Sequence, residues 1–129
     1  VHDGEAVMSV QEFVIPGRLP GLNDYTAACR GRAVAGGRMK HKAQDSVRSA
    51  IREAGLKPMK APVDVRITWY EKNRRRDKDN IRFGVKFILD ALVAEHVIEN
   101  DNWQWVRAIA DEYRVDKENP RIHVLIEER

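Results

Sequence analysis

The sequence predicts an α+β protein, a single domain in which two main helices pack on a small mixed β-sheet. Three observations support this. The length of 129 residues suits one hydrophobic core. Several short segments alternate apolar and polar residues, as half-buried strands do, and two longer segments repeat apolar residues at helical spacing. Their order is strand, helix, strand, helix, strand, strand, which favours helices packed on a mixed sheet.

The first half of the chain predicts one strand and one helix, separated by a long connection. Residues 10–15 form the strand, and the prolines and glycines that follow predict an irregular loop over residues 16–38. Residues 39–54 carry an apolar stripe at spacings of three and four, so they predict a helix. Gly55 stands where a C-terminal cap is expected.

The second half predicts strand, loop and helix again, followed by two final strands. The clearest strand has Val63, Val65 and Ile67 alternating with polar neighbours. The predicted boundaries are strand 63–70, basic loop 71–78, helix 79–94, turn 99–102, and strands 103–113 and 121–127.

Residues 8–129 are expected to form the domain, and residues 1–7, which precede Met8, to be an extension or an expression remnant. No apolar run approaches the roughly 20 residues that cross a bilayer, and a signal-peptide core is lacking. We therefore expect a cytoplasmic protein with no membrane partner. The single cysteine, Cys29, cannot form an internal disulfide, and no cysteine or histidine cluster has zinc spacing.

Charge is strongly segregated, although the formal net charge is only +3. Residues 72–86 contain seven basic and two acidic side chains, a local balance of +5. Residues 17–42 contain six basic and one acidic, again a balance of +5. Two basic segments of this kind predict a polyanionic partner.

The strongest local motif is R-R-R-D-K-D-N at residues 74–80, at the start of the second predicted helix. Guanidinium groups can donate paired hydrogen bonds to phosphate oxygens. The two carboxylates, Asp77 and Asp79, could hold Mg²⁺, which takes one or two protein carboxylates together with substrate phosphates and water. The alternative is structural, because aspartate at a helix start is a favoured N-cap and arginine-rich loops are often only solvated.

The helix after this motif would carry a charged stripe. On one continuous helix, four charged side chains fall within an arc of roughly 80°: Asp79, Arg82, Lys86 and Asp90. Phe83 and Phe87 lie on the flank of the stripe, which we interpret as the floor of a cleft. The alternative is a surface ion pair between Lys86 and Asp90.

These residues resemble the RusA family of Holliday-junction resolvases. The resemblance rests on R-R-R-D-x-D-N at residues 74–80, an F-x-L-D-A-L-like stretch at 87–92, and an acidic turn that ends at Asp101. Upstream, P-G-L-N-D-Y at residues 20–25 is similar to the P-S-x-N loop of that family. The similarity spans about residues 11–127.

The resemblance implies a hydrolase: a DNA-binding endonuclease of DNA recombination and repair that nicks four-way junctions in symmetrical pairs. It implies a homodimer and Mg²⁺ as cofactor, with Mn²⁺ able to substitute. The family's essential aspartates fall on Asp77, Asp79 and Asp101, and Asp90 matches a supporting metal ligand. The family's functional lysine would fall on Phe83 in the usual spacing, whereas here Lys86 takes that place, as if three residues were inserted.

The DNA-binding residues expected on this basis are basic or amide side chains of the two basic segments. They are Arg74, Arg75, Arg76, Asn80, Arg82, Asn23, Arg30, Arg32 and Arg38.

Three other functions fit parts of the pattern. A DNA-binding protein without catalysis would bind phosphates through the basic loops, with the acidic residues serving only as helix caps. Metal-dependent nicking of a junction would distinguish a nuclease from such a protein. A D-x-D glycosyltransferase is excluded by size, because 129 residues cannot hold a nucleotide-binding sheet and an acceptor domain. An assembly protein using the apolar flank of the helix is compatible with dimerisation.

Overall fold

The computed structural model describes residues 7–129. Nearly all of the predicted extension, residues 1–6, lies outside the described residues. Four strands and four helices follow in chain order: β1 Ser9–Pro16, α1 Leu22–Gly31, α2 Ala33–Ala54, β2 Val63–Glu71, α3 Lys78–Arg82, α4 Val85–Ala94, β3 Val106–Val115 and β4 Arg121–Glu128.

The four strands form one mixed sheet in the order β1-β4-β2-β3. Strand β4 pairs antiparallel with β1 on one side and with β2 on the other. Strands β2 and β3 run parallel, with Trp69 beside Tyr113 and Glu71 beside Val115. Because they are parallel, their C-terminal ends meet at the same edge of the sheet, where the basic loop begins.

The helices cover one face of this sheet and form a single core with it. Every second side chain of β2 and β4 is buried, from Val63 to Glu71 and from Ile122 to Glu128. Trp69 and Phe87 are among the largest fully buried side chains. The predicted α+β class and the mixed sheet are confirmed. Among the described residues, no helix is both long and apolar enough to span a membrane.

The irregular loop predicted over residues 16–38 is wrong over most of its length. Helix α1 and the start of α2 occupy residues 22–38, and the two helices pack as a hairpin. Glycine at position 36 permits this packing, because a Cβ there would lie 2.4 Å from the sulfur of Cys29. At Gly55 the expected cap is observed, with a left-handed φ of 69°.

The continuous helix predicted over residues 79–94 is interrupted. Phe83 and Gly84 form a turn between α3 and α4, in which the amides of Gly84, Lys86 and Phe87 donate to carbonyls three residues earlier. Gly84 packs directly on the core, since a Cβ there would lie 3.1 Å from the indole of Trp69. The angular spacing of one ideal helix therefore does not extend from Asp79 to Lys86.

The hairpin gives a prediction with a matched pair of adjacent glycines. Gly36→Ala should lower the melting temperature, because the new methyl meets Cys29 and overpacking costs about 1–3 kcal/mol. Gly37→Ala should leave it unchanged or raise it, because nothing lies within 4 Å of that Cβ and alanine favours helix. Thermal unfolding followed by circular dichroism measures both. Equal destabilisation by the two variants would contradict the proposed close approach.

Candidate active site

A cleft of about 680 Å³ opens where the basic loop after β2 meets the start of α3 and the end of β3. Its charged lining is mixed. The acidic residues are Glu71, Asp77 and Asp79, and the basic residues are Arg74, Arg76, Lys78 and Arg114. Five of the seven residues of the R-R-R-D-K-D-N motif thus line the cleft.

Asp77 and Asp79 stand at the mouth of this cleft with their side chains exposed. Asp77 occupies the N-cap position of α3, but its carboxylate makes no capping hydrogen bond. The backbone carbonyl of Asp77 accepts from the amide of Ile81 at 3.1 Å instead. One Asp79 oxygen accepts from the amide of Asn80 at 3.0 Å. The side chain of Asp77 therefore does not cap α3, contrary to the structural alternative considered above.

Arg76 and Glu71 build the base of the cleft. Glu71 is buried, and its two oxygens accept from the Nε and Nη2 of Arg76 at 3.0 and 2.8 Å. The remaining Nη1 of Arg76 donates to the carbonyl of Leu19 at 3.1 Å. Arg18 lies 3.7 Å from the same carboxylate. A DNA contact from Arg76 would require this buried pair to open, so its guanidinium in the present geometry joins β2 to the segment before α1.

Asn80 joins α3 to the start of α1. Its side-chain oxygen accepts from the backbone amide of Asn23 at 2.8 Å. Gly21 packs so closely that a Cβ there would lie 2.5 Å from the same oxygen. The side chain predicted to bind DNA is thus engaged within the fold, where it fixes α1 beside the cleft.

Tyr113 and Asp111 of β3 complete the surroundings of α3. Burial, followed by the nearby charge of Asp111, raises the pKa of Tyr113. The ammonium of Lys78 lies 5.4 Å from the centre of the Tyr113 ring, within cation–π range. Asp111 accepts from the Nε1 of Trp69 at 2.8 Å and from the Nε of Arg82 at 2.7 Å.

The charged stripe predicted for the helix is divided between two pairs. Arg82 on α3 turns to Asp111, and Lys86 on α4 lies 3.8 Å from Asp90, the surface pair considered as the alternative. The prediction that this stripe forms the floor of the cleft is wrong. The cleft lies at the N-terminal end of α3. Lys86 does not line it, because the turn at Phe83–Gly84 redirects the chain before that residue.

Phe83 and Phe87 do not present an open apolar flank. Phe87 is fully buried, and Phe83 packs on it edge to face with ring centres 5.5 Å apart. Tyr25 of α1 covers Phe83 from the other side at 5.4 Å. The apolar flank of this helix is therefore covered within the chain by α1, a helix that the sequence did not predict.

Asp101 lies in the turn before β3 and lines a separate depression, together with Arg82 and Trp103. Within residues 7–129, no three histidine, cysteine or acidic side chains are close enough together to hold a metal ion. The structure thus brings Asp77 and Asp79 into one cleft but leaves Asp101 and Asp90 apart from it. Two carboxylates still fit Mg²⁺, which commonly takes its other ligands from water and substrate phosphate.

The second basic segment lies on the helical hairpin. Arg30 and Arg32 flank the turn between α1 and α2, Arg38 follows on α2, and all three are exposed. Asn23, whose amide binds Asn80, places the beginning of this hairpin beside α3. The two basic segments predicted from sequence are therefore connected through α1.

Sequence reasoning missed the contribution of β3 to the cleft, above all Tyr113 and Arg114. The parallel pairing with β2, which brings Val115 beside Glu71, is what places them there. A signal was available, since ligands often bind at the carboxyl ends of parallel strands. Strand direction was not part of the prediction.

Comparison with known proteins gives one finding. A family model described as endodeoxyribonuclease RusA matches residues 22–127, most of the chain. The matched region contains α1, the cleft and the whole of β3. A search of curated proteins found no significant match.

Proposed function

The chain belongs to the RusA family of endodeoxyribonucleases, and from this premise we propose that it resolves four-way DNA junctions in the cytoplasm by Mg²⁺-dependent, paired symmetrical nicks. Membership confirms the predicted resemblance and makes the protein a nuclease that hydrolyses DNA phosphodiester bonds. The observation that carries the proposal is the cleft itself. Asp77 offers a carboxylate that caps no helix, beside Asp79 and among arginines suited to phosphate.

We propose that Asp77 and Asp79 hold the divalent ion and that Asp101 contributes a third carboxylate. Bound Mg²⁺ supplies Lewis-acid polarisation of the phosphodiester. Asp101 lies in the neighbouring depression beside Arg82, so it can join the other two only if the start of α3 shifts towards the turn of Asp101 when DNA binds. Asp90 lies 3.8 Å from Lys86 and does not line the cleft, so we propose only a supporting role for it.

The arginines attract the negatively charged DNA backbone, which the carboxylates alone would repel. Arg74 lines the cleft and Arg75 follows it on the exposed loop, and Arg30, Arg32 and Arg38 are exposed on the hairpin. Exposed guanidinium groups on both sides of α1 can donate hydrogen bonds to the phosphates of more than one duplex arm. A branched substrate, with arms diverging from one point, suits such a divided basic surface.

Binding should therefore depend steeply on salt. For duplex arms, each phosphate contact adds about 0.9 to the slope of log K against log salt. Arg74→Ala and Arg75→Ala should each reduce the slope by about that amount, whereas Arg66→Ala, on the opposite face of the sheet and paired with Glu127, should not. Junction titrations at several salt concentrations measure this. A flat salt dependence of the wild-type protein would indicate a different ligand.

We also propose that the active form is a homodimer, because two strands nicked symmetrically require two equivalent sites. Strand β1 lies at an edge of the sheet and exposes Val10 and Val14, which offers apolar surface for a second copy. Light scattering at micromolar concentration should give twice the mass of the chain. A monomer alone under these conditions would count against paired nicking by one assembly.

The function is tested with three labelled substrates: a four-way junction, a replication fork and a linear duplex. Each is incubated with Mg²⁺ and with chelator. We expect nicks in the junction with Mg²⁺ only, and little cutting of the duplex. Binding to the junction without any metal-dependent nick would favour the non-catalytic DNA-binding protein.

A further inference from the structure

Trp103 is the most unusual exposed side chain of the described residues. It is 97% exposed, although tryptophan normally buries a large apolar surface. The other large exposed apolar residues belong to other parts of the fold: β1 and the residues just before it, the helical hairpin and the far end of β3. Trp103 is thus the one large, fully exposed apolar side chain in its part of the described surface, and the apolar residues beside it are the part-buried Val106 and Ile109 and the small Ala108.

The turn that carries Trp103 is well ordered by its own hydrogen bonds. The Asn102 side chain accepts from the amides of Gln104 and Trp105 at 3.1 and 3.2 Å. The backbone carbonyl of Asn102 accepts from the amide of Val106 at 2.9 Å, which ties the turn to β3. The indole is therefore presented to solvent by a fixed backbone.

The surroundings of Trp103 are those of a nucleic-acid contact. It lines one depression with Arg82, Asp101 and Arg107, above a small apolar floor that includes Ile109. Asp101 is only two residues away, so their Cα atoms are at most about 7 Å apart. A nucleotide whose phosphate lies at Asp101 would have its base within reach of the indole.

We propose that Trp103 stacks on an unpaired or unstacked base at the branch point of the DNA, and so helps to select branched over linear substrates. The inference rests on the proposed function, and on Asp101 acting near the reacting phosphate. Aromatic side chains stack on any base, because every base has a π-face. In a linear duplex the bases are already stacked and would have to be extruded at a cost, whereas a branch point offers bases that unstack more easily.

The test uses a junction with the fluorescent adenine analogue 2-aminopurine at the branch point, and a second junction with it in the middle of an arm. Wild-type protein should change the fluorescence at the branch point and not in the arm. Trp103→Ala should abolish that change and weaken junction affinity about tenfold, with duplex affinity unchanged. Trp103→Phe, which keeps an aromatic face, should retain most of both. Gln104→Ala, which trims the exposed neighbouring side chain of the same turn, should match wild type.

Three results would overturn the proposal. Trp103→Ala could leave the branch-point signal intact, or weaken junction and duplex equally. It could also halve the mass seen by light scattering, which would make Trp103 a contact with a second copy. If the wild-type protein does not prefer the junction to the duplex, the proposed function itself is wrong. If the wild type prefers the junction and Trp103→Ala prefers it equally, only the proposal for Trp103 is wrong.

Discussion

Asp77→Asn and Asp79→Asn should each lower single-turnover nicking of a four-way junction by at least about 100-fold, roughly 2.7 kcal/mol of barrier. Asparagine keeps the size of the side chain but removes the charge that would hold Mg²⁺. Because Asp77 makes no capping bond and both carboxylates are exposed, neither change should disturb the fold. Junction affinity should be equal or higher, since a negative charge near phosphates is lost.

Asp45→Asn is the matched control, because Asp45 is an exposed carboxylate on α2 that lies 3.5 Å from His41 and outside the cleft. It should nick at the wild-type rate. Melting temperatures of all variants separate chemical from structural loss. Near wild-type nicking by either cleft variant would remove that aspartate from the site.

The second large effect concerns the displaced lysine. Lys86→Ala should lower single-turnover nicking by at least about tenfold, roughly 1.4 kcal/mol, with little change in junction affinity. A compact ammonium suits charge developing on a phosphoryl oxygen. Lys86 is half exposed and its contact with Asp90 at 3.8 Å is loose, but it does not line the cleft of Asp77 and Asp79, so this role requires DNA to bring a phosphate to the start of α4. Surface pairs of this kind contribute only about 0–1 kcal/mol.

Arg82→Ala should mainly weaken junction binding, because Arg82 is fixed to Asp111 and presents its guanidinium as an anchor. Lys117→Ala, an exposed lysine beyond β3, serves as the control and should change neither quantity. The opposite result would be that Arg82→Ala slows the chemical step and Lys86→Ala lowers only junction affinity. In that case Arg82 has the role of the family lysine, and matching Lys86 to that lysine is wrong.

The break between α3 and α4 lies in the segment where the resemblance implies three additional residues. Between Asp79 and Lys86 the chain leaves the helix at Phe83–Gly84, where Gly84 allows close contact with Trp69. Periodicity cannot detect this, because both halves carry apolar residues at helical spacing. At the turn, amides donate to carbonyls three residues earlier, and Gly84 packs on Trp69, a tertiary contact that helix propensity does not describe.

The strands were predictable for a simple reason: Val63, Val65 and Ile67 alternate with polar residues, and one face of β2 is buried. The hairpin of α1 and α2 was not, because Gly31, Gly36 and Gly37 normally indicate a loop. Gly36 allows the two helices to pack closely, which is evident only from its contact with Cys29. Local sequence reports propensity, whereas a close approach between helices depends on the partner.

The candidate site divides in the same way. Asp77 and Asp79 could be found because only one residue separates them, within a motif that also holds arginines. Tyr113 and Arg114 reach the cleft through the parallel pairing of β3 with β2, a long-range contact. Asp101 was found by resemblance, yet its turn lies at a second depression beside Arg82.

The central claim, paired nicking of a four-way junction, is tested most directly on a supercoiled plasmid that extrudes a cruciform. Two nicks made within one complex convert the plasmid to linear DNA in a single step. We expect linear product to form first with wild-type protein and Mg²⁺, and no product with chelator. Accumulation of nicked circles, or equal cutting of a plasmid without the cruciform, would contradict the account.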